Sequence, residues 1–219
     1  MRHVNWAATN RVGHPMTNQY RVEQDRDVIC LLDTGRLMMA PLTVDIEAKL
    51  ENELEELNIE VGATRLDIAI DSLCAIATVS EVLGDRIGVI SFDSQIRKHL
   101  KPRRSGSRSV VKTIYDIEAI PVDTDFEAAF ARIGKSKRSL VLIYTDFLDA
   151  ASAGPLIRSL PSIVKKHKVI VASITDNDVE KIISDTQRET IAENFYIKEN
   201  AKLMKDSSLE VVSLIERAG

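Results

Sequence analysis

Cysteine is scarce: Cys30 and Cys74 are too few for a disulfide framework, and each sits in an apolar run where a free cysteine behaves as a small hydrophobe. That usage fits a reducing compartment. No stretch approaches the roughly 18 consecutive apolar residues of a membrane span, and the first residues lack the apolar core of a signal peptide. The chain as it stands is therefore expected to be soluble and cytoplasmic. Positive charge is not in surplus either: 29 Lys and Arg against 33 Asp and Glu leave a formal net charge of -4. The global basic charge of a nucleic-acid binder is missing, so any polyanion would need a local patch. His3, His14, His99 and His167 show no spacing to one another or to cysteine that suggests zinc. Neither a Gly-x-Ser-x-Gly elbow nor a phosphate-cradling Gly-x-x-x-x-Gly-Lys loop occurs, which removes the usual support for a hydrolase or nucleotide-binding reading. There is no internal repeat and no low-complexity tract.

What is present points to one α/β domain. With 219 residues and 44% hydrophobic content, the chain buries roughly two-thirds to three-quarters of its unfolded surface and needs no disulfide or structural metal. Apolar runs of strand length occur at 28–32, 86–92, 140–144 and 169–174. They are nearly continuous in apolar character, as strands covered on both faces require, so a parallel sheet is implied. Between the first two runs, Leu66, Ala69, Ile70, Leu73, Ile76, Ala77 and Leu83 recur at helical spacing, and Gly84-Asp85 ends the helix. Helical patterns also fall at 110–117, 126–133, 155–164 and about 188–217. Strands alternating with helices define a doubly wound, mostly parallel sheet. The stretch 95–100, just after Phe92-Asp93-Ser94, reads as a short antiparallel edge strand. Residues 1–24, with a lone Trp6 among polar neighbours, read as part of a truncated preceding region. Residues 25–219 read as the α/β domain, with a further strand expected after Ala218-Gly219.

In such a sheet, ligands bind outside the carboxyl ends of the strands, where strand order reverses. Acids cluster there. The first strand runs directly into Asp33-Thr34-Gly35-Arg36, the run 140–144 ends in Thr145-Asp146, and Val122-Asp123-Thr124-Asp125 precedes the helix at Phe126. Converging hard oxygens suit magnesium or manganese. An Asp after a strand is very often a helix N-cap or a turn residue, and Asp123 or Thr124 has that reading open. Arg36 offers a different possibility: a guanidinium beside these carboxylates would neutralise them from within and replace a metal. A solvated loop arginine is the alternative.

Two charged stretches complete the inventory. Val44 to Val61 carries seven acids against one Lys49, with Leu50, Leu54 and Leu57 at helical spacing, and reads as an acidic amphipathic helix beside the Asp33 loop. It either docks a partner or caps the sheet with a solvated face. Lys98 to Arg108 reads as a mobile basic loop, and no aromatic interleaves to stack a base, so nucleic-acid binding is not expected.

Several motifs taken together, in order and spacing, resemble bacterial proteins of the domain-of-unknown-function 58 family, a von Willebrand factor type A relative. They are Asn5-Trp6-Ala7-Ala8, Leu32-Asp33-Thr34-Gly35-Arg36-Leu37-Met38, Thr64-Arg65-Leu66-Asp67, the run from Gly84 to Asp93, Arg138-Ser139-Leu140 and Thr145-Asp146-Phe147. The resemblance implies a metal-ion-dependent adhesion site: an Asp-x-Ser-x-Ser loop, a Thr in a second loop and an Asp in a third. Asp33, Thr124 and Asp146 stand at those positions, with Thr34, Gly35, Arg36, Asp123, Asp125 and Thr145 as the partner-binding rim. Gly35 and Leu37 stand where the two serines belong, so two oxygen ligands are missing. The resemblance further implies a non-enzymatic interaction module working with a MoxR-type ATPase, with a membrane tether, where present, outside this chain. A metal-dependent phosphoester hydrolase, drawing on Asp123, Asp125 or Asp149, and a structural domain with a vestigial site are the competing expectations. The last requires that the acids be internally satisfied.

Overall fold

Strand β1, Asp27–Asp33, is buried at every position: Val28, Cys30 and Leu32 join the core on one face of the sheet, and Ile29 and Leu31 join the core on the other. A strand with no solvent side must lie in the middle of a layered fold, which is why its sequence does not alternate. Burial also pushes the Cys30 thiol up to about 12, so it serves as packing and not as a nucleophile. The computed structural model describes residues 10, 11, 13, 14, 26–42, 63–104, 106–134, 136–174, 183, 184 and 192–218, with side chains in the last segment from 198 onward.

Four further strands flank β1: β2 (Arg86–Phe92), β3 (Ile96–Arg103), β4 (Ser139–Tyr144) and β5 (Lys168–Ala172). The sheet order is β3-β2-β1-β4-β5, parallel throughout except for the antiparallel β2–β3 pair. The chain winds one way from β1 to β2 and the other way to β4, so strand order reverses between β1 and β4. A crevice opens at their carboxyl ends.

Helices cover both faces. On the first lie α1 (Arg65–Leu83) and α2 (Ser107–Ile114), contributing Leu66, Leu73, Ala77, Val110 and Ile114. On the second lie α3 (Phe126–Ile133), α4 (Ala150–Ser159) and α5 (Pro161–Val164), contributing Phe126, Phe130, Leu156 and Ile163. A long helix, α6 (Ala192–Ala218), packs on α4. Each fully buried Leu, Ile or Phe stabilises the fold by roughly 1.5–3 kcal/mol relative to exposure. α1 starts with a capping box in which the Thr64 hydroxyl accepts from the Asp67 N–H and the Asp67 carboxylate accepts from the Thr64 N–H. It ends at Gly84, whose φ of 80° needs no side chain.

Three expectations change. The edge strand β3 has eight residues and is the longest in the sheet, and most of the expected basic loop 98–108 is this strand and the start of α2. Lys98, Lys101 and Arg103 therefore sit on an edge, where charge discourages pairing with other chains. The helical pattern at 155–164 is two helices, because Asp149 caps a start five residues earlier and Pro161 opens a new turn. The acidic stretch 44–61 lies outside the described residues, as does most of the segment 1–24. Among the described residues no helix is long and apolar enough to cross a membrane.

One glycine is required by close approach. A Cβ on Gly88 would stand 2.6 Å from the Leu100 carbonyl oxygen and 2.7 Å from the Pro102 nitrogen, where β2 and β3 shift register. Gly88→Ala is expected to lower unfolding stability by about 1–3 kcal/mol, since backbone on both sides must move. Urea titration measures this, and an unchanged midpoint would contradict the packing described.

Candidate functional site

Asp33 ends β1 and is only 3% exposed. Its Oδ1 accepts from the Gly35 N–H at 2.8 Å and from Thr124 Oγ1 at 2.7 Å, and its Oδ2 accepts from Thr145 Oγ1 at 2.6 Å. Three segments meet on this one carboxylate: the loop after β1, the loop before α3 and the first residue after β4. Burial pushes the Asp33 carboxyl above its ordinary 3.8, while the hydrogen bonds from Thr145, Gly35 and Thr124 pull it back.

Three neighbouring carboxylates each have an arginine. Asp146 pairs with Arg65 Nη1; the Asp146 side chain is buried and that of Arg65 is mostly so. Asp93, which follows β2, is paired by Arg97; burial pushes its carboxyl up, but Arg97 and the Gln95 N–H outweigh burial and hold it below the ordinary value. Asp123 is paired with Arg36 at 2.7 Å on the surface. Asp93 also ties the site to its frame, since its Oδ2 accepts from Thr34 Oγ1 at 3.2 Å and its carbonyl accepts from the Asp125 N–H at 2.8 Å.

Gly35 is what lets the loops close. A Cβ there would lie 2.3 Å from Thr124 Oγ1, 3.0 Å from the Val122 carbonyl and 3.1 Å from Asp33 Oδ1. Its φ of -78° is ordinary, so the residue is required by close approach and not by a left-handed turn. The same contact tests whether the adhesion-type metal fits. A serine at 35 would collide with the Thr124 hydroxyl, Thr124 bonds directly to Asp33, and Asp146 is committed to Arg65. As placed, these residues do not suit a hard cation, which needs several oxygens facing one point. Among the described residues no three His, Cys, Asp or Glu side chains gather in a group able to hold a metal ion.

Asp33, Thr124 and Asp146 do line one cavity, of about 210 Å³, together with Arg36, Asp123 and Phe147. Of the residues expected on the rim, Arg36, Asp123 and Asp125 are exposed, whereas Thr34, Gly35 and Thr145 are buried beneath it. The expectation that these three face a partner is therefore corrected: they support the rim from below. The cap of α3 is Asp125, accepting from the Ala128 N–H at 3.1 Å, and neither Asp123 nor Thr124 has that role. Asp149 caps α4. Arg36 pairs with the exposed Asp123, so the guanidinium groups that reach the buried carboxylates here are not that of Arg36 but those of Arg65 and Arg97. Sequence reasoning missed Arg65, Asp93 and Arg97 as site residues. A signal for Arg65 existed: a cation at the first position of a capped helix opposes the helix dipole and so implies a specific partner.

Residues 60–190 match the sequence profile of a family described as a protein of unknown function, DUF58, which is more than half the chain. The chain belongs to that family. It is also 24% identical over 189 residues to an uncharacterized protein of Mycobacterium bovis and to uncharacterized proteins of two Mycobacterium tuberculosis strains. These alignments cover 82% of this chain and 52% of each relative, so the chain spans about half the length of the curated relatives it matches. Among solved structures, the VWA domain of SpRpn10 is similar with a TM-score of 0.42 and 10% identity, over 69% of this chain and 76% of that one.

Two substitutions probe the Asp33 network. Asp33→Ala strands the three donors and is expected to lower stability by about 2–4 kcal/mol. Asp33→Asn keeps the shape and an acceptor oxygen. Because the folded carboxyl titrates above 3.8, its stabilising contribution is complete below that value and is lost as pH rises through the folded pKa. Denaturation from about pH 4 to about pH 8 is therefore expected to show the Asn variant gaining on the wild type. A wild type that gains instead would mean that the three donors outweigh burial.

Proposed function

We propose that this domain is a non-enzymatic protein-interaction module whose binding face is the rim at the carboxyl ends of β1 and β4. The observation that supports this reading best is that each of its acids already has a partner within the fold. Asp33 is held by two hydroxyls and a backbone N–H, Asp93 and Asp146 by arginines, and Asp125 and Asp149 by helix N-termini. A hydrolase needs a carboxylate free to ligate or to take a proton, and these have prior partners. The surface above them combines the exposed Arg36–Asp123 pair with half-buried Phe147 and the exposed Leu148. Mixed apolar and charged groups around a small cavity are the ordinary make-up of a protein interface.

The family resemblance suggests a MoxR-type ATPase as partner, in the cytoplasm, with the domain working as its adaptor. The internally partnered acids also suit a structural domain whose site is vestigial, and binding separates the two. An exposed ion pair adds about 0–1 kcal/mol to stability, so the charge-reversed variants Arg36→Glu and Asp123→Lys should keep the wild-type melting temperature. Binding to a MoxR-type ATPase, measured by calorimetry, is expected to weaken at least tenfold in either variant, by roughly 1.4 kcal/mol or more. Equal affinity in wild type and both variants would remove the rim from the interface. Phosphoesterase turnover abolished by Asp146→Asn would replace this reading with the enzyme.

A further inference from the structure

We propose that Arg65 is a built-in cation: its guanidinium does at the carboxyl end of the sheet what a divalent metal does in an adhesion-type site, and leaves this face independent of metal. The inference concerns the electrostatics of the site and holds whether or not the rim binds a protein.

The backbone around Arg65 is fixed before its side chain is considered. Its N–H donates to the Ala40 carbonyl at 3.0 Å, the Leu42 N–H donates to the Ala63 carbonyl at 2.9 Å, and Pro41 and Thr64 form an antiparallel bridge. These bonds fasten the start of α1 to the chain that follows the 3-10 turn Arg36–Met39. From that anchor the guanidinium reaches Asp146, just beyond β4, with side chains 12% and 6% exposed. A cation at the first turn of a helix works against the macrodipole. The buried acid is what makes the position favourable.

Charge balance points the same way. Asp33, Asp93, Asp123 and Asp146 would present four negative charges, and Arg65, Arg97 and Arg36 return three, leaving one. Hard cations bind according to the number and charge of the oxygens offered. Here most of that charge is already neutralised, and Gly35 has let Thr124 close onto Asp33 where a serine ligand would stand. The metal implied by the resemblance therefore disagrees with the residues present, and Arg65 accounts for the disagreement. As a planar donor it also joins α1 to β4, so helix and strand end are locked together without an ion.

Thermal unfolding with and without millimolar manganese tests this on the wild type, Arg65→Met and the double variant Arg65→Met/Asp146→Asn. Wild type should not respond to manganese. Arg65→Met should melt roughly ten degrees lower, because Asp146 is left buried without its counter-charge, and the double variant should recover most of that loss. Manganese should restore part of the loss in Arg65→Met and none in the double variant. The proposal is overturned if manganese stabilises the wild type, if Arg65→Met melts with the wild type, or if manganese acts equally on both variants. Should Arg65→Met not fold, the metal response of the wild type and of a folded double variant still decides: either one stabilised by manganese overturns the proposal.

Discussion

A carboxylate placed at the end of the central strand, 3% exposed, must find donors or stay protonated, and the architecture of this face follows from how Asp33 finds them. Its three donors come from three segments, two of them distant in sequence: Gly35 beside it, Thr124 before α3 and Thr145 after β4. Satisfying one buried group thus requires the loops of two neighbouring strands and the entry to a helix to converge. The rest of the crevice is built on that convergence. Gly35 is needed because the 122–124 loop must come close enough to deliver the Thr124 hydroxyl, and Thr34 is turned inward to bond Phe92 and Asp93.

The surrounding acids obey the same physical rule with a different donor. Asp146 and Asp93 are too buried to be left to water, and each is met by an arginine from another position in the fold. Once so paired, a carboxylate is a poor metal ligand and a poor general base, because displacing its arginine would leave two desolvated charges. This bears directly on function. In the function proposed above, recognition falls to what stands above these acids, the exposed Arg36–Asp123 pair, Phe147 and Leu148. Membership of the DUF58 family places the domain among proteins whose roles are not described by their names, so function must be read from such surfaces.

Most of the fold was legible because its strands carry an unambiguous pattern. The runs ending at Leu32 and Tyr144 have no polar interruption, the one ending at Phe92 is broken only by Ser91, and a strand without a solvent side belongs inside a doubly wound sheet. The edge was harder to see: β3 is half exposed and rich in Lys and Arg, which are the marks of a loop in sequence and of a protected edge in space. The site divided in the same way. Asp33 and Asp146 were visible as acids that end buried strands, and Thr124 through the resemblance. Arg65 was not, because the pairing of a helix start with a strand end about eighty residues away leaves no local periodicity.

The sequence by itself determined the order of strands and helices, the burial of β1 and the location of the crevice, since these depend on hydrophobic pattern and on short-range caps such as Thr64, Asp125 and Gly84. Only the tertiary structure decided what the crevice is. Whether Asp33, Thr124 and Asp146 face a cation or face one another depends on distances between loops from different parts of the chain, and on which arginine arrives. Arg36 stood next to Asp33 in sequence and went to the surface, whereas Arg65 was brought to Asp146 by the packing of α1 on the sheet. Electrostatic pairing acts through space over a few ångströms, and the fold alone sets which charges lie that close.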